Sequence, residues 1–188
     1  MSPSQPVDRV LTASLIVAPA IYFIADLLYG LRGWADPTAA VFHVLGATAY
    51  TIVVVRLVSW SRGVAAAVLL VVGVLGAAGN VAYGFNTIHV SLGDTDLVDA
   101  TGAATLIKPL GLCFPLTLLI AAFVLRQRRP AWIVGVLAVA GITWPIAHIA
   151  NIAWLASLTN VGLLAAFGAL AVTAWRTAPA VEPVSVLR

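Results

Sequence analysis

Charge is what this sequence has least of. Only 9% of its 188 residues are Asp, Glu, Lys or Arg and 62% are hydrophobic, where an ordinary soluble domain carries about 25% charged residues. With a mean hydropathy of +1.05, a water-soluble globule is excluded and lipid is the solvent for most of the chain. Cysteine is almost missing as well. Cys113 stands alone in an apolar stretch, so one chain can form neither a disulfide nor a thiolate metal site, and the residue carries no information about redox compartment. Catalytic signatures are also missing. No H-x-x-x-H or H-E-x-x-H pair sets two ligands on one helical face, and Ser91 and Ser157 have no supporting residues nearby in sequence. No residue is assigned a catalytic role, and an enzyme is the less favoured class.

The charges that are present are sorted. Arg9, Arg56, Arg62, Arg126, Arg128, Arg129, Arg176 and Arg188 fall at one set of ends of the apolar runs, while Arg32 and Lys108 accompany Asp36, Asp94, Asp96 and Asp99 at the other. The positive-inside rule makes the arginine-rich ends cytoplasmic. The chain length allows six spans of about 20 residues, expected near 10–29, 38–58, 64–88, 102–125, 131–153 and 157–176. The fold class expected is therefore an all-α, polytopic membrane protein with both termini cytoplasmic, placed in the cell membrane. Residues 10–176 form one transmembrane domain between a short N-terminus, 1–9, and a flexible tail, 177–188.

Local signals fix most boundaries. Asp36 before Pro37 starts the second helix, since the carboxylate can accept from first-turn amides and Pro is tolerated at the first helical position. Pro109 and Pro115 predict bending or freed carbonyls in the fourth. Residues 131–176 carry no charge before Arg176, and one unbroken helix at about 1.5 Å per residue would exceed twice the hydrocarbon thickness. Two helices turning near Trp154 to Ser157 are expected instead. Arg9 and Ala18-Pro19-Ala20 loosely imitate a signal peptide, but the apolar run continues to Leu28 and is long enough to span. The resemblance of Asn80-Val81-Ala82-Tyr83 to Asn151-Ile152-Ala153-Trp154 is too short to mark an internal repeat.

A pI near 9.5 does not imply nucleic acid, because the basic residues are dispersed and only Arg126, Arg128 and Arg129 cluster, where they suit an anionic lipid surface. Gly73, Gly76, Gly79 and Gly84 give the third helix a small side for close packing. The partners expected are the lipid bilayer and a second copy of the chain or another membrane protein.

Measured inward from the expected helix ends, Asp26, His43, Lys108 and His148 all lie roughly 6 to 9 Å deep on the non-cytoplasmic side. Ionisable side chains at that depth usually face a bundle interior or a wet cavity. Helical spacing adds neighbours on the same faces: Tyr22 with Asp26, Tyr50 with His43, Asn80 with Tyr83, and Asn151 with His148. A polar vestibule follows. The competing structural readings are an Asp26–Lys108 ion pair, snorkelling of Lys108 and of Arg56, and neutral histidines that merely bond between helices. Asp94, Asp96 and Asp99 lack calcium-loop spacing and read as a solvated connection.

Three functions fit. The first is a binding or transport protein for a small ligand, ion or proton, with Asp26 as charge centre and His43 and His148 exchanging a proton with it. Against transport, Arg56 is the only ionisable residue expected in the inner half. The second is an accessory or scaffold subunit. The third is an enzyme acting on lipid at the outer leaflet, with zinc on His43, His148 and Asp26 or haem between His43 and His148; no cofactor is required by the sequence.

Overall fold

Helix ends in this protein sit where short-range chemistry puts them. Asp36 caps the second helix, its Oδ1 accepting from the Ala39 amide at 2.7 Å, with Pro37 in the first turn. Pro6 opens the first helix and Asp8 lies in its first turn, which suits the positive end of the helix dipole. The computed structural model describes residues 6–177, so the expected tail lies almost wholly outside the described residues. The helices are α1 (Pro6–Arg32), α2 (Pro37–Ser59), α3 (Gly63–Ser91), α4 (Ile107–Leu125), α5 (Ala131–Ile149) and α6 (Ala153–Thr177), with a 3₁₀ turn, Gly102–Leu106, leading into α4. All six are long and apolar enough to cross a membrane, α4 together with its 3₁₀ lead. The chain is an all-α, multi-pass membrane bundle.

Each helix packs against its neighbours in sequence, and α6 closes on α1. The helices thus form a ring of alternating direction. One end of the ring gathers Asp36, Asp94, Asp96 and Asp99 and is called here the acidic end; the other carries Arg62, Arg126, Arg128, Arg129 and Arg176 and is the arginine end. Small residues set several close approaches. A Cβ on Gly46 would stand 3.1 Å from the Tyr22 backbone nitrogen, and one on Gly76 would stand 2.5 Å from the Phe114 backbone nitrogen, so α1 meets α2, and α3 meets α4, almost backbone to backbone.

Inside the ring, Tyr22, Tyr50, Phe114, Trp144 and Phe167 form an aromatic layer, and Leu57, Leu69, Leu125, Leu137 and Leu170 fill the space beyond it toward the arginine end. Arg56 does not snorkel. It is buried, donating from Nη1 to Asp8 at 2.6 Å and from Nη2 to the Thr12 hydroxyl at 2.8 Å.

The α5–α6 turn lies earlier than expected, at residues 150–152. Asn151 has φ +54°, the left-handed conformation that Asn tolerates better than most residues. The Ile152 amide donates to Ala147 O at 2.7 Å, which is the closing bond of a Schellman motif with Asn151 as its left-handed residue. A chain-reversing cap, rather than a change in polarity, ends α5.

Candidate functional site

At the acidic end the ring encloses a cavity of about 540 Å³, within the size range of small-molecule sites. Its polar wall includes His43, Asn80, Tyr83, Asn86, His148 and Asn151, and Val90, Ile107, Leu112 and Ile149 supply apolar surface. Asp96, Asp99 and Lys108 line it from the α3–α4 side. The α3–α4 connection is held over this region by Asn86, whose amide donates to Asp96 Oδ1 at 2.8 Å while its carbonyl oxygen accepts from the Leu97 amide at 2.7 Å.

Behind the cavity wall stand two hydrogen-bonded chains. The first explains Tyr22. Pro115 has no N–H, so the Gly111 carbonyl one turn earlier loses its intrahelical donor. The Asn80 side-chain amide takes that place, donating to Gly111 O at 3.2 Å and to Gly76 O at 2.8 Å. With its NH₂ so committed, Asn80 presents Oδ1 to the Tyr22 hydroxyl at 2.9 Å. The hydroxyl donates there, and it must therefore accept from His43 Nε2, 2.8 Å away. This assigns the Nε2–H form to a neutral His43, because imidazole carries one donor and one acceptor. Its acceptor, Nδ1, is buried without a partner.

The second chain explains Asp26, which is fully buried. Asp26 Oδ2 accepts from Asn160 Nδ2 at 2.5 Å, and Oδ1 lies 3.2 Å from His148 Nε2. His148 Nδ1 is 2.9 Å from Trp144 O, and since a carbonyl only accepts, Nδ1 bears a proton. The contact between His148 Nε2 and Asp26 then needs one further proton, on either side. Imidazolium with carboxylate, and imidazole with carboxylic acid, are both neutral overall. A carboxyl group is tolerated in this apolar setting because the pair carries no net charge, which removes most of the cost of an isolated buried ion. The Trp144 ring stacks on His148 with centroids 4.0 Å apart, an arrangement that favours any positive charge on the imidazole.

The residues expected to form a vestibule are thus distributed over three depths. His43, Asn80, Tyr83, Lys108, His148 and Asn151 line the cavity; Asp26 and Tyr22 are the layer behind it; Tyr50 packs edge-on against Tyr22 and Phe114, deeper in the core. The alternative ion pair between Asp26 and Lys108 is not formed. Lys108 Nζ instead bonds Asp99 Oδ1 at 2.6 Å, both side chains exposed, because the connection folds back over the start of α4. Nor do His43, His148 and Asp26 converge as zinc ligands. Among the described residues no group of three ligating side chains is gathered, and Nε2 of each histidine is already engaged, with Tyr22 or with Asp26. The same engagement takes from both histidines the nitrogen that haem would most simply use.

Asn160 is the functional-site residue that sequence reasoning missed. Its signal was an amide in the middle of an otherwise apolar helix, on the face shared by Ala156, Leu163 and Phe167. Trp34 is another residue of the site: it stacks on Tyr29, meets His148 edge-on and lines the cavity. Compared with known families, curated proteins and solved structures, the chain matches none of them.

Proposed function

We propose that this multi-pass protein lies in the cell membrane with its arginine end in the cytoplasm, and binds a small ligand in the acidic-end cavity. The Asp26–His148 pair is its proton-exchanging element. The observation that carries the reading is the pairing of cavity and buried polar layer: two cavity histidines, on different helices, are each backed by a buried hydrogen-bond partner, Tyr22 behind His43 and Asp26 behind His148. The ligand chemistry follows from the mixed wall: polar side chains of Asn80, Tyr83, Asn86, His148 and Asn151 stand beside Val90, Ile107, Leu112 and Ile149, so the occupant has an apolar body with a hydroxyl, amine or amide.

The closed aromatic and leucine layers beneath the cavity support binding from one side, with transport requiring a rearrangement of those layers. A second reading has its own support. The same two chains tie α1 to α2, α3, α5 and α6, as an accessory or scaffold subunit would require.

The test is a thermal-unfolding screen of the purified protein against small aliphatic and aromatic alcohols, amines and amides. Binding of each stabilising compound is then repeated in weakly buffered solution with a pH indicator. A ligand site predicts saturable stabilisation, at least tenfold weaker binding in His43→Phe, and a proton change on binding that disappears in Asp26→Asn. Stabilisation that is equal in both variants and moves no proton supports the scaffold reading instead.

A further inference from the structure

A second cavity lies at the arginine end, formed where the α2–α3 turn meets the α4–α5 connection. It measures about 240 Å³ and is lined by Ser59, Trp60, Ser61, Arg62, Arg128 and Arg129, together with Leu125. Among the described residues no carboxylate lines it. Asp8, at the same end of the helices, is taken by Arg56 through a 2.6 Å ion pair. Trp60 sits between guanidinium groups, with Arg56 and Arg129 each 4.7 Å from its ring centroid, and its carbonyl accepts from Arg128 Nη1 at 3.1 Å. Trp60 therefore fixes two of the cavity's arginines in place, Arg129 by stacking on its ring and Arg128 through its backbone carbonyl.

Among the described residues nothing lining the cavity compensates the charge held there. Arg129 Nε is buried without a hydrogen-bond partner. Burial and then the neighbouring Arg56 hold the Arg129 pKa below its ordinary value, as expected where cations are crowded without an anion. The hydroxyl protons of Ser59 and Ser61 are given to helix carbonyls, so the donors left are guanidinium groups. α3 begins beside them at Arg62, with no side-chain cap on its first turn. Planar guanidinium forks converging on one space are suited to phosphate oxygens, which accept them in pairs.

We propose that this cavity is a phosphate site in which Arg62, Arg128 and Arg129 hold an oxyanion, either the headgroup phosphate of an anionic lipid or free inorganic phosphate. The site is independent of the acidic-end cavity and lies at the opposite end of the helices. Arg126 supplies an internal control. It belongs to the same connection and carries the same charge, but it donates to Phe123 O at 2.6 Å, stacks on the Phe123 ring and does not line the cavity.

The experiment uses the full chain in dodecylmaltoside. Native mass spectrometry counts lipid retained from micelles doped with phosphatidylglycerol or with phosphatidylcholine, and thermal unfolding is followed in sodium phosphate against sodium chloride at equal ionic strength. The expected result is one phosphatidylglycerol per chain, with affinity lowered tenfold or more by Arg62→Gln and by Arg129→Gln and unchanged by Arg126→Gln. Retention of phosphatidylglycerol without a phosphate-specific shift identifies the lipid headgroup as the source. A phosphate-specific shift, lost in the same two variants and without lipid retention, identifies the free anion. Unfolding of each variant without added anion, compared with wild type, shows that it is folded. Equal losses in Arg126→Gln and Arg129→Gln would mean diffuse surface charge and overturn the proposal, as would folded wild-type protein that binds neither probe.

Discussion

Two substitutions at Asp26 separate the hydrogen bonds of the buried pair from its charge. Asp26→Leu removes both acceptors, so His148 Nε2 and Asn160 Nδ2 lose their partner together. Removing one member of a buried ion pair costs about 3–5 kcal/mol when the other is left as an isolated charge. That figure does not apply here. His148 keeps its Nδ1 proton on Trp144 O and becomes neutral by giving up the proton on Nε2, so no bare cation remains. The loss is that of two hydrogen bonds, and within membrane proteins such bonds average about 0.6 kcal/mol with a maximum of about 1.7. Asp26→Leu should therefore destabilise by about 1–3 kcal/mol. Asp26→Asn is nearly isosteric with the protonated carboxyl form. Its carbonyl oxygen can accept from Asn160 and its NH₂ can donate to His148 Nε2, so the cost should stay within about 1 kcal/mol. Reversible unfolding by sodium dodecyl sulfate in mixed micelles, followed by circular dichroism, gives both values. If the Leu variant is as stable as wild type, the pair does not hold the helices together. If the Asn variant loses as much as the Leu variant, the amide cannot replace the shared proton, and the neutral-pair description is wrong.

Gly76→Ala should be more damaging than its size suggests, by about 1–3 kcal/mol, because the new methyl meets Phe114 backbone atoms that cannot yield; the same unfolding assay measures it, and Gly111→Ala, which faces open space, should cost less than 1 kcal/mol. Asn151→Gly should be near neutral and Asn151→Val should cost about 1–2 kcal/mol, since φ is +54° at that position; equal stabilities would remove the left-handed cap as the reason α5 ends there. Lys108→Ala should change stability by less than about 1 kcal/mol, its partner Asp99 being a solvent-exposed loop residue, and a larger loss would show that the connection depends on that ion pair rather than on Asn86.

The spans were legible because hydropathy and the sorting of arginine are local properties, written into each run and its ends. Periodicity within a helix was legible for the same reason: Tyr22 and Asp26 share a face of α1, as do Trp144 and His148 on α5, and helix geometry alone brings them to one side. What was not legible is which helices those faces meet. Lys108 looked like a partner for Asp26 because both are charged at similar depth, yet Asn86 folds the connection so that Asp99 reaches Lys108 first. Asn160 was passed over because its neighbours on that face of α6, Ala156, Leu163 and Phe167, are apolar, although an amide is what a buried carboxylate needs. The turn at Asn151 was misplaced for a related reason: the residue was read by its polarity, as a cavity group, when its tolerance of positive φ was what ended the helix.

The two cavity histidines are not equivalent, and the difference bears on how occupancy could be felt elsewhere. His148 meets a group with which it shares a proton, whereas His43 heads a chain of fixed direction running through Tyr22 and Asn80 to the Gly111 carbonyl. Polarisation of the His43 ring would strengthen every bond in that chain in the same sense, since hydrogen bonds in series reinforce one another in a low dielectric. The last of them closes the rung that Pro115 leaves open in α4, beside the tight Gly76 contact with Phe114. Tyr22 and Asp26 are one turn apart on α1, so the helix that carries the proton-sharing carboxyl also carries the link to α4. Binding at His43 and protonation at His148 are in this way joined through a single rigid element, and the broken rung of α4 is where their combined effect would first alter helix packing.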